Sequence, residues 1–372
     1  MTFRYRSSGG PFSGGRYDAY VDRQADTDLF NFLHSDTLCY VCNARQMGKT
    51  SLWNRTKDRL LENAKGKKES YHFALVDFTL LSCDSETDER EWYYSFIYSL
   101  NSQLQILDEN TLDKHFSNSK NFTPVAALSN FLSAITARKN QKIIIGIDEI
   151  DRLLDTSFEA SNFFNLIGNS HGLRSHHLEQ SHLGFVLMGV ASPSDLGDRT
   201  FNKAAASDLT GISADNALPV LSNGLRELVS SPRAIIEHIL EWTGGQPFLT
   251  QKACGIIQDA AQETEAIQFS IDELISWSGQ LIKENIIDTA WSKDLNVHFR
   301  PIRDAIVENN HQAGRLLDLY ESIWIGRPTK DEGDECIRLC LSGLAFSKNS
   351  FLYLRSLIYR EVFTEEWIEK QR

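Results

Sequence analysis

Cysteine, proline and long apolar runs are all scarce in this chain, and each scarcity removes a class of protein. The 6 Cys are dispersed along 372 residues, which excludes a disulfide scaffold and fits a reducing compartment. With only 8 Pro and 22 Gly, a collagen-like or low-complexity chain is excluded. No apolar stretch approaches the roughly 18 residues of a membrane-spanning helix. The opening MTFRYRSSGGPFSGG has no apolar core of the signal-peptide kind, so a cytoplasmic protein without a membrane partner is expected. Positive charge is also short. Against 50 Asp+Glu there are 38 Lys+Arg, a formal net charge of -12, which excludes a nucleic-acid binder that uses its whole surface, because phosphates need a basic footprint. A local basic patch stays open. Nothing repeats at a fixed period, which removes solenoids and propellers.

What is present is an alternation of strands and helices in a chain too long for one core. A polar helix around RQADTDLFNFLH leads to a short strand TLCYV, then to Gly48-Lys49-Thr50 and a helix from Lys49. A second strand, HFALVDF, covers 72–78, helices follow over about 89–106 and 123–138, and the third strand, KIIIGIDEID, ends in acids. A fourth covers 184–192. Continuous apolar strands separated by helices predict a parallel sheet with helices on both faces, with ligands at the carboxyl ends of its strands. Amphipathic helices replace strands from about residue 214. The expected architecture is α/β: a P-loop nucleotide-binding domain over 1–212 with a flexible N-terminus at 1–16, an α-helical lid over 213–270, and a winged-helix domain over 271–372. The last is read from three helices and a hairpin turning at Lys348-Asn349, with one closing helix LIYREVFTEEWIEKQ.

The segment NARQMGKT, residues 43–50, has the chemistry of a phosphate loop. Successive backbone N–H groups form an anion-binding concavity, the next helix presents its positive end, and a lysine neutralises phosphoryl oxygens. The spacing gives the loop to Asn43, Ala44, Arg45, Gln46, Met47 and Gly48, with Lys49 reaching the β- and γ-phosphates, Thr50 ligating Mg²⁺ and Ser51 beside it among the nucleotide-binding residues. Asn43 stands where such loops usually begin with glycine; asparagine tolerates the left-handed conformation better than other side-chain-bearing residues. Downstream, IIIGIDEID delivers Asp148 and Glu149 to the same sheet edge. Asp148 would hold Mg²⁺ through a water, and Glu149 would orient and polarise the attacking water.

Six segments, YVDRQADTDLF, CYVCNARQMGKTSL, IIIGIDEIDRLL, GVASPSDL, EWTGGQPFLTQKAC and IYREVFTEEWIEK, together resemble the AAA-like ATPase domain of bacterial, especially cyanobacterial, STAND-type signalling proteins. The resemblance spans nearly the whole chain. It implies an ADP-closed, ATP-open switch with ATP/ADP and Mg²⁺ as cofactors, low ATPase turnover and self-association on ATP binding. It implies that Val21 and Arg23 pack near the base, that Ser192 or Ser194 lies at the γ-phosphate sensor position, and that Pro247 is the lid proline. The sensor position offers a hydroxyl rather than a basic group. Members commonly fuse this module to an effector or WD-repeat region; as the chain stops at Arg372, the effector is expected to be missing or a separate protein.

Other signals read as structural. Four histidines in HGLRSHHLEQSH (His171, His176, His177, His182) lack metal-ligand spacing. Cys39 and Cys42 lie in a strand, away from the helix N-terminus that would activate a thiolate, and read as core. Cys336 and Cys340 share a helix face, and Trp92 and Phe96 form a core pair at helical spacing. The third helix of the winged-helix region begins with Asp331, Glu332, Asp334 and Glu335, an acidic face that favours protein over DNA, though Lys348, Arg355 and Arg360 leave a DNA-associated ATPase in replication, transposition or defence as an alternative. A nucleotide-held scaffold without turnover is a further alternative.

Overall fold

Strands that are apolar along their whole length need cover on both faces, and the computed structural model shows how they obtain it. It describes all residues except 1–2, 36, 68–69, 109, 113–122, 137–140, 173–181, 193–194, 196–203, 265 and 309–312. The chain divides into two compact units. One comprises residues 24–42 and 49–209; the other comprises 1–23, 43–48 and 210–372.

The first of these contains, in order, α1 (Gln24–His34), β1 (Cys39–Cys42), α2 (Lys49–Ala64), β2 (Ser70–Asp77), α3 (Glu89–Leu104), α4 (Pro124–Thr136), β3 (Gln141–Asp148), α5 (Ala160–Gly172), β4 (His182–Gly189) and β5 (Ala205–Ala206). The strands form a five-stranded sheet in the order β2-β3-β4-β1-β5, and every pairing is parallel. Strand alternation divides β3 between two layers. Ile143, Ile145 and Ile147 join Leu183, Phe185 and Leu187 in a cluster with Trp92 and Phe96 of α3 and Phe163 of α5. The opposite face carries Gly146, where an added Cβ would lie 3.0 Å from the Trp53 indole of α2. Helices therefore cover both faces, as the sequence implies. Trp92 and Phe96 stack at 5.6 Å between ring centroids, which makes them core. The register pairs Asp77 with Asp148, so two acids end neighbouring strands.

The other unit holds α6 (Ala214–Leu221), α7 (Pro232–Thr243), α8 (Pro247–Glu263), α9 (Ile271–Ile282), α10 (Lys293–Val307), α11 (Ala313–Trp324), β6 (Thr329–Lys330), α12 (Asp334–Ser342), β7 (Ala345–Lys348), β8 (Phe351–Leu354), α13 (Leu357–Val362) and α14 (Glu365–Gln371). Local chemistry sets several starts: Ser231 caps α7 with Pro232 in its first turn, and Ser270 with Glu273 makes a reciprocal capping box at α9. The strands form an antiparallel sheet, β6-β8-β7. Its hairpin turns through Asn349 and Ser350, both at positive φ, the backbone hand that matches strand twist.

Three expectations need correction. The closing segment is two helices rather than one, because Thr364 accepts a hydrogen bond from the Trp367 N–H and starts α14 afresh. Strands β5 and β6 escape notice because two residues give no readable period. The N-terminal stretch is anchored rather than flexible where it is described: Tyr5 is buried, its hydroxyl donates to the Leu221 carbonyl, and the Arg6 N–H donates to Gln251 Oε1 at 2.9 Å. Among the described residues no helix is long and apolar enough to cross a membrane.

The turn after α7 is the tightest backbone approach in this unit relevant to the GGQP segment. Gly244 sits at φ +58, and a Cβ there would stand 1.6 Å from the Arg355 carbonyl oxygen. Gly244→Ala is therefore expected to cost about 3 kcal/mol or more, combining overpacking with a left-handed penalty; a fall in the urea midpoint at unchanged slope would show it, and an unchanged midpoint would refute it.

Candidate nucleotide site

In the unit that carries the parallel sheet the chemistry gathers at the start of α2 and the end of β3. Lys49 is the first residue of α2 and is buried. Burial pulls its pKa below the ordinary ammonium value, opposed by the carboxylates of Glu149, Asp148 and Asp151. Asp148 is raised above the usual carboxylate value by its own burial, opposed by the Thr50 hydrogen bond and the Lys49 charge. The Thr50 hydroxyl donates to Asp148 Oδ2 at 2.7 Å, so the helix after the loop and the acidic strand meet through the two oxygen groups that hard cations prefer. This pair fits Mg²⁺, since a carboxylate penalised by burial gains from a cation and the hydroxyl adds a neutral oxygen.

Glu149 lies in the left-handed region, φ 55 and ψ 45, at the head of a 3₁₀ turn, and its N–H donates to Asp148 Oδ1 at 3.1 Å. Such a conformation costs roughly 1–2 kcal/mol in a residue with a Cβ. Asp151 secures the turn: its Oδ1 accepts the Val190 N–H at 2.8 Å, and a Cβ at Gly189 would come 2.6 Å from that same oxygen. The acidic turn is thus fastened to the end of β4. Ser192, just beyond, is buried; its hydroxyl donates to Asp195 Oδ2 at 2.7 Å and its N–H to the same oxygen at 2.9 Å. Ser194 lies outside the described residues.

The loop residues 43–48 belong to the other unit. The left-handed positions are Gln46, φ 58, and Gly48, φ 90. Asn43 is not among them, which corrects the expectation for that residue; its Oδ1 instead accepts the Ala44 N–H at 2.7 Å. Ala44 and Met47 are buried and Arg45 is exposed. Glycine suits position 48 because a Cβ there would stand 3.1 Å from the Arg23 guanidinium. Arg23 donates to the Met47 carbonyl at 2.8 Å and to the Thr210 carbonyl at 3.3 Å, and Val21 is buried in the hydrophobic cluster of this unit.

Pro247 occupies the first turn of α8, and its neighbour makes the polar contacts. Gln246 accepts the Leu249 N–H through Oε1 at 2.6 Å and donates through Nε2 to the Gln46 carbonyl at 3.2 Å. His298, on α10, bonds through Nδ1 to Gln46 Oε1. An amide oxygen only accepts, so the proton sits on Nδ1 and the bare Nε2 accepts from the Tyr359 hydroxyl at 3.0 Å. The sequence reading gives no role to Gln246, His298 or Tyr359. The Gln246 side chain could have been suspected from its place before a helix-starting proline.

The cysteines of β1 stay structural. Cys39 is buried and its thiol is pushed well above its ordinary value by burial, as is Cys42, to about 12. His176 and His177 lie outside the described residues, and among the described residues no group of three or more His, Cys, Asp or Glu is placed to hold a metal.

Burial pushes His298 down to about 3, whereas the unfolded imidazole titrates near its ordinary value. Between those values the unfolded chain binds a proton that the folded chain refuses, so stability falls on acidification through that window at about 1.4 kcal/mol per pH unit. Between about pH 6.5 and 5 this amounts to about 2 kcal/mol. Urea unfolding across that range should show the loss in the wild type and a flatter profile in His298→Gln.

Comparison with known proteins places these features in a family. A family model described as an AAA-like domain matches residues 16–302. The chain is 34% identical over 362 residues to an uncharacterized WD repeat-containing protein of Synechocystis, covering 95% of this chain and 30% of that protein; it therefore spans less than a third of that relative's length. Among solved structures it is similar to a Walker-type ATPase of Pyrococcus abyssi, with TM-score 0.56, 14% identity, and 95% of this chain and 98% of the other covered. It is also similar to the ORC2 protein of Aeropyrum pernix in its ADPNP and ADP complexes, with TM-score 0.52, 15% identity, and 100% and 98% covered. At such identities these two likenesses speak for the fold. With most of its length matched by the family model, this chain belongs to the AAA-like domain family.

Proposed function

We propose that this chain is an ATP-binding molecular switch of the STAND type, hydrolysing ATP slowly, associating with itself when ATP is bound, and acting in intracellular signalling or defence. The observation that carries the reading is the 2.7 Å hydrogen bond between Thr50 and Asp148, which joins two motifs far apart in sequence into one oxygen-donor pair. In this reading the loop N–H groups and Lys49 hold the β- and γ-phosphates, Thr50 and Asp148 hold Mg²⁺, and Glu149 accepts a proton from the attacking water. Bound there, Mg²⁺ supplies charge neutralisation on the phosphoryl oxygens. The carboxylates of Glu149, Asp148 and Asp151 oppose the loss of charge that burial favours at Lys49, and a phosphate beside it would favour the charged form further.

The Synechocystis relative contains WD repeats and is much longer than this chain. That supports a division of labour in which the present residues form the switch and an effector is supplied by a further region or a separate protein. In functional terms we retain a nucleotide-binding segment over 1–212, a lid over 213–270 that contributes Pro247, and a winged helix over 271–372. Val21 and Arg23 would flank the base, and Ser192 would sense the γ-phosphate. A DNA-reading role for the winged helix is less well supported, because the Arg355 guanidinium already donates to the carbonyls of Gly343 and Ala345 and Arg360 lies over the Trp324 ring at 5.3 Å.

Calorimetric titration with ATP·Mg²⁺ and phosphate-release assays test the assignment. Lys49→Ala is expected to weaken binding about 10- to 100-fold, the worth of a charge-assisted hydrogen bond, and to abolish ATP-dependent assembly in light scattering. Glu149→Gln should keep binding and slow phosphate release by about 100-fold or more. Unchanged release in that variant would favour a nucleotide-held scaffold over a switch with turnover, and unchanged binding in Lys49→Ala would remove the nucleotide assignment.

A further inference from the structure

The phosphate loop holds a residue with a side chain in the left-handed region, Gln46, where glycine would sit without strain. Its conformation is not left to local preference, because contacts from well-separated parts of the chain converge on it. Gln246 Nε2 donates to the Gln46 carbonyl at 3.2 Å, His298 Nδ1 donates to its Oε1, and Arg23 donates to the next carbonyl, that of Met47, at 2.8 Å. Every one of these groups lies in the same compact unit as the loop.

The contacts continue inward. His298 Nε2 accepts the Tyr359 hydroxyl at 3.0 Å, and the two rings stack at 5.8 Å between centroids. The Phe248 ring, from the first turn of α8, lies 4.9 Å from the imidazole. Beyond Tyr359, the Tyr320 hydroxyl on α11 donates to the Tyr359 carbonyl at 3.3 Å and to the Phe363 carbonyl at 2.9 Å. His298, Tyr359 and Tyr320 are 4%, 1% and 0% exposed. Water therefore cannot substitute for a bond lost along this line, and a shift at Gln46 must be answered by the side chains behind it.

From this we infer that His298 and Gln246 are positioning residues for the phosphate loop, and that Gln46, His298 and Tyr359 form a relay through which occupancy of the loop alters α10 and α13. The inference rests on the nucleotide-binding reading. A glycine at position 46 would adopt the loop conformation unaided but would carry no side chain to pass it on. Glutamine makes the conformation conditional on the partners, and that dependence is what couples the two.

The test uses the full chain, ATP·Mg²⁺, and two readouts: affinity by calorimetry, and hydrogen exchange across residues 293–307 and 357–362. His298→Ala should bind ATP at least about fivefold more weakly, the low end of typical coupling between sites. Adding Gln46→Gly to the same chain should recover most of that loss, because the loop then needs no brace; a cavity effect at position 298 would not be repaired by a change in the loop. Tyr359→Phe, which removes only a hydroxyl, should lose the ATP-dependent change in exchange over 357–362 that the wild type shows. If His298→Ala does not fold by circular dichroism, Gln246→Ala takes its place with the same expected rescue. Binding by His298→Ala equal to the wild type, a double variant as weak as the single one, or an unaltered exchange response in Tyr359→Phe would overturn the relay. Absence of ATP binding in the wild type would overturn the nucleotide reading and the relay with it, whereas wild-type binding that leaves both helices unchanged would overturn the relay alone.

Discussion

A buried ammonium at the positive end of a helix is an arrangement that electrostatics opposes twice, once through lost hydration and once through the helix dipole. Lys49 is in that position at the start of α2, and much of the sheet's chemistry answers it. The strand β3 ends in Asp148 and Glu149, Asp151 follows in the turn, and all three act on the lysine. Thr50, one residue on, ties the helix start to Asp148. With neither the acids nor an anionic ligand, Lys49 would be an uncompensated charge; with both, its position becomes a source of binding strength. Asp148 is raised by its own burial, so it too gains when a cation comes close. Each group would be stabilised by a charge that a metal–phosphate ligand brings.

The loop before Lys49 follows a different logic. Its backbone takes left-handed conformations at Gln46 and Gly48, and only the second is a glycine. The first is maintained by hydrogen bonds from side chains on other elements of the same unit, so its geometry is a property of tertiary packing rather than of local sequence. Glu149 shows the same character in the other unit, with a left-handed backbone beside an acidic turn that Asp151 fastens to β4. Strained residues of this kind persist only where the surroundings over-determine them, and here they stand at the positions with the clearest chemistry.

What could be read from the sequence and what could not follow from this distinction. The run IIIGIDEID and the Gly-Lys-Thr were legible because an all-apolar strand and a phosphate-loop spacing are local signals, and Trp92 and Phe96 because helical periodicity puts them on one face. The parallel sheet followed from the same patterns. Asn43 was the wrong residue to suspect of a left-handed backbone, since composition shows which residues tolerate that region and not which position the turn demands. His298 and Tyr359 could not be found because their significance comes from a convergence between α10, α13 and the loop that no window of sequence contains. The break at Thr364 was missed because a good helix pattern on both sides masks a single capping hydroxyl.

Strand β3 has one more implication, for how the chain reaches its fold. Seven of its eight residues are buried, and it pairs in parallel with β2 on one edge and β4 on the other, so its native partners are far away in sequence and must arrive by slow loop closure. Until they do, Ile143 to Ile147 form an uncharged β-prone segment of the sort that nucleates intermolecular pairing. Lys142 stands at its head, buried in the final structure, with its ammonium donating to the His34 carbonyl at 3.2 Å and lying over the Tyr71 ring at 5.6 Å. A charge flanking such a segment opposes self-association before folding, and in the finished sheet the same ammonium is clasped by His34 and Tyr71.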